Sequence, residues 1–340
     1  MKALQRYSHL PKTLQLVNLP KPKKSKGFCI LKVKSVGICG RDLEHHVSIL
    51  SKDNIPFIPG HEFSGIIEDI ELNNLYKIGD RVVSETLYSS CKKCNSCKEG
   101  LYNLCRKRKN IGGSADGAFA EFVKVPIKYL HKIPKNISFD CAALIEPACV
   151  AYNATHNNSR IKKNDKVLVI GAGTIGLLTI QMLKLIGVQI SLLCQKNEIE
   201  RIKIAKKLQI KDIFYFDDIK LLDKKYEAYF DYVFDAVGGI SLSFNKAMEY
   251  VKANGNIVKL GWFMDDKSIN LDKIIRKSIS IKGSFSHNYK IWKKCIDLQT
   301  NNFIDLNLLI GKTSELENWK NCFNDLTAKK YVKIILKPNG

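Results

Sequence analysis

The sequence predicts an α/β protein in two parts, one β-rich and one built on a doubly wound parallel sheet. Three observations predict it. Short alternating runs separated by Gly and Pro fill residues 1–150. Beyond about residue 155, strand-like runs alternate with helical patterns. A glycine triplet, Gly171-Ala-Gly-Thr-Ile-Gly176, joins the first of these later strands to the first of these helices.

In chain order, Phe28-Cys-Ile-Leu-Lys-Val-Lys-Ser-Val-Gly37 alternates apolar and polar positions, the pattern of a half-buried strand. Residues 63–70 and 118–125 read the same way, with Pro56-Phe-Ile-Pro-Gly60 and Lys77-Ile-Gly-Asp-Arg81 as turns. In the second part, strands are expected at 166–170, 189–194, 212–216, 232–236, 256–260 and 279–282. Helices are expected at 174–186, 198–208 and 242–253. Such alternation means parallel strands joined by right-handed crossovers, and six strands suffice for a full doubly wound sheet. The tail returns to helix plus a short strand at 331–337 and is expected to rejoin the first part. For 340 residues two domains are expected: 1–150 together with 291–340, and 151–290.

With 45% hydrophobic and 26% charged residues, the composition is that of an ordinary globular protein. The first residues lack an apolar h-region, and no apolar run is long enough to span a membrane. A cytoplasmic location is expected, where cysteines serve metals or catalysis rather than disulfides. The formal charge of +22 invites a nucleic-acid reading. The excess, however, is scattered lysine rather than arginine, whose fork is what phosphate and base recognition use. Neither a nucleic-acid nor a membrane partner is expected. The lysines make a solubilising surface, or else attract anionic substrates such as a dinucleotide or a sugar phosphate.

Each glycine of the triplet has a physical task. Gly171 permits the tight turn, Gly173 lets backbone approach a pyrophosphate, and Gly176 allows strand and helix to pack closely. Thr174 and Ile175 open the helix whose N-terminus offers N–H groups and a positive dipole end to the phosphate. An acidic residue about 20 positions on normally takes the adenine-ribose hydroxyls of NAD. Gln195 stands there, with Lys196 and Arg201 close by, so NADP(H) is favoured over NAD(H). Alternatively, Glu198 or Glu200 is a first-turn charge without bearing on the cofactor.

Cys91, Cys94, Cys97 and Cys105 have the spacing C-x2-C-x2-C-x7-C in a lobe of about residues 88–108. Four thiolates complete a tetrahedral shell with no open position, which is a structural zinc site. A redox pair is the competing reading, but it needs two cysteines, not four. Chemistry needs other residues. Cys39 sits in Gly37-Ile-Cys-Gly-Arg-Asp42, His61 and Glu62 in Pro59-Gly-His-Glu-Phe-Ser-Gly65, and Glu146 in Leu144-Ile-Glu-Pro147. A Cys, a His and two carboxylates in such segments form a zinc shell with room for water or substrate. Cys29, Cys141, Cys149, Cys194, Cys295 and Cys322 read as small core residues.

Gly37-x-Cys-Gly-x-Asp42, Gly60-His-Glu62, the four-cysteine lobe, Asp116-Gly-Ala-Phe-Ala-Glu121, Glu146-Pro147, the glycine triplet and Asp235-Ala-Val-Gly238 carry a resemblance. Together they resemble the zinc-dependent medium-chain dehydrogenases along nearly the whole chain. Glu62, Glu146-Pro147 and residues 274–285 are most similar to the polyol branch: sorbitol, threonine and galactitol-1-phosphate dehydrogenases. The resemblance implies a GroES-like β-rich catalytic domain interrupted by a Rossmann cofactor domain. It also implies two zinc ions per subunit, one catalytic and one structural, and a homodimer or homotetramer. Cys39, His61 and Glu146 would ligate the catalytic zinc, with Glu62 a fourth or alternating ligand and Asp42 hydrogen-bonded to His61. Val237 and Gly238 match cofactor-binding positions. The implied reaction moves hydride between NAD(P)(H) and a secondary alcohol or ketone of a polyol, sugar or sugar phosphate.

Three positions depart from the family pattern. Arg41 replaces the Ser or Thr whose hydroxyl relays the proton, and a guanidinium stays cationic. Glu44 stands where a His is frequent, with His45 and His46 just beyond; either is a substitute relay or a surface residue. Ser286-His287 replaces an Arg-Tyr pair that contacts polyols, which argues against sorbitol itself. Arg41 beside a metal suggests a substrate phosphate, hence a phosphorylated polyol or NADPH-dependent reduction of a ketose phosphate. Two further readings stay open. One is C=C reduction, which relatives commonly perform without the metal; the other is a non-catalytic binding protein on this fold.

Overall fold

The computed structural model describes residues 1–49, 55–239, 242–262 and 269–339. The chain folds as two units, Met1–Glu146 with His287–Gly340, and Pro147–Ser286.

In the second unit, six parallel strands form one sheet. In chain order they are Lys166–Ile170, Gln189–Cys194, Asp212–Tyr215, Phe230–Asp235, Val251–Lys259 and Ser280–Gly283. Across the sheet they run 3-2-1-4-5-6, the doubly wound order. Val167, Leu168, Val169 and Ile170 are all buried, which is why the first strand reads as one apolar run rather than an alternation. Helices Thr174–Lys184, Ile199–Lys207, Ile219–Tyr226, Leu242–Tyr250 and Leu271–Arg276 connect the strands. The short helices Ile219–Tyr226 and Leu271–Arg276 escape the sequence reading. The helix expected to continue to residue 253 stops at Tyr250, because Val251 pairs with Phe230 and is buried. A register shift follows, with Asn254 at a φ of 58° beside Gly255. Sheet pairing and burial override local helix preference there.

The first unit is built on a seven-stranded sheet centred on Phe28–Gly37. That strand pairs antiparallel with Glu62–Asp69, Phe122–Pro126 and Lys333–Lys337. The strand expected from residue 118 starts only at Phe122. Before it, Phe119 O accepts from Leu4 N, and Ala120 bridges to Ala3, so residues 118–120 serve the N-terminal hairpin instead. The tail adds Ile310–Glu315 and Lys333–Lys337, parallel to each other. Leu31, Val33, Val36, Ile67, Val82 and Leu336 lie in the core beneath this sheet. Among the described residues, no helix is long and apolar enough to cross a membrane.

The glycine loop gives a direct test of this packing. At Gly176 an added Cβ would lie 1.9 Å from the Gly171 carbonyl oxygen, whereas at Gly173 it would meet nothing within 4 Å. Gly176→Ala is expected to destabilise the protein by about 1–3 kcal/mol, while Gly173→Ala leaves the melting temperature unchanged. Thermal melts of both variants beside the wild type check this, and equal melting temperatures for all three would contradict it.

Candidate active site

The ladder sets Gly37 opposite Glu62 at the ends of two neighbouring strands. Just past Gly37, Cys39 precedes helix Gly40–Val47; just before Glu62 stands His61. One donor atom from each of Cys39, His61 and Glu62 lies within 4.8 Å of the others. Asp42 Oδ2 accepts from the Cys39 backbone N–H at 2.9 Å, anchoring the start of the helix. Asp42 Oδ1 is 4.0 Å from His61 Nδ1, a charge contact longer than a hydrogen bond. Glu62 Oε2 accepts from Lys333 Nζ at 2.6 Å, and the same ammonium donates to Ile38 O at 2.9 Å. A Cβ on residue 37 would lie 2.5 Å from Glu62 Oε2, so glycine makes room for this carboxylate.

Glu146, at the start of helix Ile145–Tyr152, stands apart from the three-donor group. Its Oε1 is 2.9 Å from His287 Nε2. Burial pushes the Cys39 thiol up, and the Glu62 charge adds to it. Burial also raises Asp42. At His61, burial pulls downward, but Cys39, Asp42 and Glu146 outweigh it and hold the imidazole well above its usual value. At Glu146, burial is overcome first by the interaction with His287 and then by the charges of His61 and Lys333, which hold the carboxyl low. Several acidic donors thus crowd one buried place, an arrangement that calls for a cation. A thiol, an imidazole and carboxylates suit zinc, and three clustered donors leave a coordination position open.

Helix Gly40–Val47 carries two of the three positions that depart from the family pattern, Arg41 and Glu44. Arg41 is exposed on its first turn, and its charge acts on Glu44 and His45. Burial first, then Arg41 and His61, pull His45 down to about 4, so its ring is neutral near pH 7. His46 instead packs edge-on against Trp319 and Phe323, with centroids 5.6 and 5.5 Å away. The end of this helix is tied by Arg6, which the sequence reading missed. Its buried guanidinium donates to the carbonyls of His45, Ser48, Ser8, His9 and Leu10.

Cys91, Cys94, Cys97 and Cys105 form a second group whose sulfurs lie within 4.8 Å of one another. Cys94 N donates to Cys91 Sγ at 3.4 Å and Cys91 N to Cys105 Sγ at 3.5 Å. N–H groups of Lys93 and Cys94 draw the Cys91 thiol down to about 6, favouring the thiolate a metal requires. Four sulfurs without an open position suit a structural ion. All eleven cysteines are free, and Cys29, Cys141, Cys149, Cys194, Cys295 and Cys322 are buried.

At the glycine loop, Gly171 has a φ of 98°, in the left-handed region that favours glycine. Its missing Cβ is replaced by the Val237 side chain, which would approach within 2.8 Å. Asp235 braces the turn that carries Val237 and Gly238. It accepts from Val237 N at 3.0 Å, Ser243 Oγ at 3.1 Å and Lys259 Nζ at 2.7 Å. Lys259 also donates to Val237 O at 2.8 Å; the sequence reading did not single it out. Thr174 and Ile175 open the helix after Gly173, while Gln195 and Lys196 are exposed past the second strand. Arg201 is engaged: its Nη1 lies 2.7 Å from Oε1 of the buried Glu198.

Known proteins share this organisation. Residues 25–135 match the alcohol dehydrogenase GroES-like domain, and residues 174–301 match the zinc-binding dehydrogenase domain. A D-arabitol-phosphate dehydrogenase of Enterococcus avium is 30% identical over 333 residues, covering 96% of this chain and 94% of that one. A sorbitol dehydrogenase of Halalkalibacterium halodurans is 31% identical over 347 residues, covering 99% of both. The solved structure of a short chain alcohol dehydrogenase from E. coli CFT073, complexed with NADH, has a TM-score of 0.88 at 27% identity and 99% coverage of each chain. Because both family domains are present and its relatives align from end to end, the chain belongs to the zinc-dependent alcohol and polyol dehydrogenases.

Proposed function

We propose that this enzyme transfers hydride between NADP(H) and a secondary alcohol or ketone of a phosphorylated polyol or sugar. The observation that carries the reading is the three-donor group of Cys39, His61 and Glu62, with donor atoms within 4.8 Å and a position left open. These residues would hold the catalytic zinc, with Glu146 as the further carboxylate, and Cys91, Cys94, Cys97 and Cys105 would hold a structural one. When bound, zinc supplies a Lewis acid to the reacting oxygen, and the dinucleotide supplies or accepts hydride. The chain's own groups do the rest. Asp42 faces His61, and Lys333 fixes Glu62. Of the two histidines, His45, whose ring feels the charge of His61, rather than His46, which packs on Trp319 and Phe323, stands in for the missing relay hydroxyl at Arg41.

The phosphate reading is supported by Arg41, exposed on the first turn of the helix that Cys39 starts, and by the likeness to a D-arabitol-phosphate dehydrogenase. The NADP(H) reading is supported by the absence of a carboxylate at Gln195 and by the exposed Lys196. Arg201 contributes less than its position suggests, since Glu198 holds it at 2.7 Å.

Three measurements test these readings. Metal analysis of the purified protein is expected to give two zinc atoms per chain, and Cys97→Ser to lose one with a lower melting temperature; unchanged metal content in the variant would contradict the four-sulfur site. In a panel of pentitols, hexitols and their phosphates, Arg41→Ala should lower kcat/KM for phosphorylated substrates by roughly tenfold to a hundredfold, as loss of a charge-assisted hydrogen bond does. Free polyols should be spared, and an equal loss on both kinds removes the phosphate clamp. Finally, kcat/KM should favour NADPH, and Glu198→Ala, which releases Arg201, should widen that preference. A tenfold preference of the wild type for NADH overturns this cofactor assignment.

A further inference from the structure

We propose that His287, with its ring locked by Trp292, is the residue that positions Glu146 in the active site. This rests on the reading above, in which Glu146 serves a metal-dependent dehydrogenase centre. Trp292 Nε1 lies 2.7 Å from His287 Nδ1. An indole N–H only donates, so Nδ1 must accept, and the proton of the neutral ring sits on Nε2. That nitrogen is 2.9 Å from Glu146 Oε1. Donation therefore runs in one direction, from Trp292 through His287 to Glu146. Trp292 and His287 are 1% and 2% exposed, so water does not compete for either bond.

Trp292 is itself held. It lies in helix Tyr289–Thr300, with its ring stacked on His131 at 5.4 Å and an interplanar angle of 8°. His131 Nε2 is 3.4 Å from Oε1 of the buried Glu85, whose Oε2 accepts from Tyr102 Oη at 2.9 Å. Tyr102 Oη in turn accepts from Tyr289 N, at the start of the same helix, at 2.6 Å. Tyr102 lies between Cys97 and Cys105, so the four-cysteine lobe buttresses the helix that carries Trp292.

The consequence falls on Glu146. With Oε1 bound to His287, the carboxylate is held near enough to the group of Cys39, His61 and Glu62 for its charge to act on His61. Without that bond the carboxylate loses the one direct hydrogen bond that sets its direction toward the group. His287 occupies the position where the family places a polyol-contacting residue, yet here it faces a carboxylate. Its role is to set a distance, not to touch substrate.

The test uses the zinc enzyme and its cobalt-substituted form, with variants His287→Leu, His287→Gln and Trp292→Phe. A glutamine amide can replace the Nε2 donor; leucine cannot. The phenylalanine keeps ring bulk but frees the tautomer. His287→Leu should lower kcat at least tenfold with the dinucleotide KM unchanged, and should alter the visible cobalt absorption. His287→Gln should recover most of both, and Trp292→Phe should fall between. If His287→Leu stays within twofold of wild type with an unchanged cobalt spectrum, or if His287→Gln is as impaired as His287→Leu, the proposal is overturned. Should His287→Leu not fold, the glutamine and phenylalanine variants decide by the same readouts. Inactivity of the wild type on every alcohol and ketone would sink the functional reading instead, while the cobalt spectra would still decide the role of His287.

Discussion

The pairing of Gly37 with Glu62 is the constraint on which the centre depends. An antiparallel ladder fixes which residues end side by side, and a slip of one residue would turn each side chain to the opposite face. In this register, Phe28–Gly37 delivers Cys39 just beyond its end, and Glu62–Asp69 delivers His61 just before its start. Lys333–Lys337 pairs along the other flank of the same central strand, with Ile335 against Gly37. It thereby brings the Lys333 ammonium to Glu62. Three segments far apart in sequence meet because one strand holds both neighbours.

That meeting concentrates like charges. Cys39, Asp42, Glu62 and Glu146 all act on their surroundings as acids, and three of them are buried. Left uncompensated, such a group would protonate rather than stay charged, since low dielectric penalises isolated ions heavily. The upward displacement of the Cys39 thiol and of His61 is the same fact seen from two sides: thiol and imidazole retain protons where a dication would displace them. The four-sulfur lobe solves its problem differently. It has little core of its own, and its N–H groups already favour a thiolate at Cys91.

What was legible in the sequence follows from which constraints are local. Cysteines at fixed intervals and a glycine triplet between strand and helix reveal themselves because a tetrahedral shell and a tight phosphate turn demand given residue types at given spacings. The six-stranded sheet was legible for the same reason, through a period that switches from strand to helix and back. Long-range partnerships were not. Lys333 lies in a strand-like run, and nothing nearby announces that its ammonium turns to a carboxylate 271 residues away. His287 fills a position that family likeness gives to the substrate, while its partner, Glu146, lies 141 residues back. Arg201 is a different case, because its partner Glu198 is only three residues away, a spacing that helical neighbours share. The early end of the helix at Tyr250 was hidden because pairing with Phe230 decides it, not the residues of the helix itself.

Glu62 and Glu146 are held by partners of different kinds, and this divides their parts. Glu62 meets a buried ammonium at 2.6 Å, so its charge is matched within the protein. Breaking such a buried pair typically costs about 3–5 kcal/mol, which fixes Glu62 in place whether or not a metal shares it. Glu146 meets an imidazole whose other nitrogen already accepts from Trp292, so that imidazole directs the carboxylate without cancelling its charge. That charge is felt at His61, which it helps to lift. One carboxylate is therefore an anchored member of the donor group. The other is an aimed charge, and a histidine outside the group decides where it points.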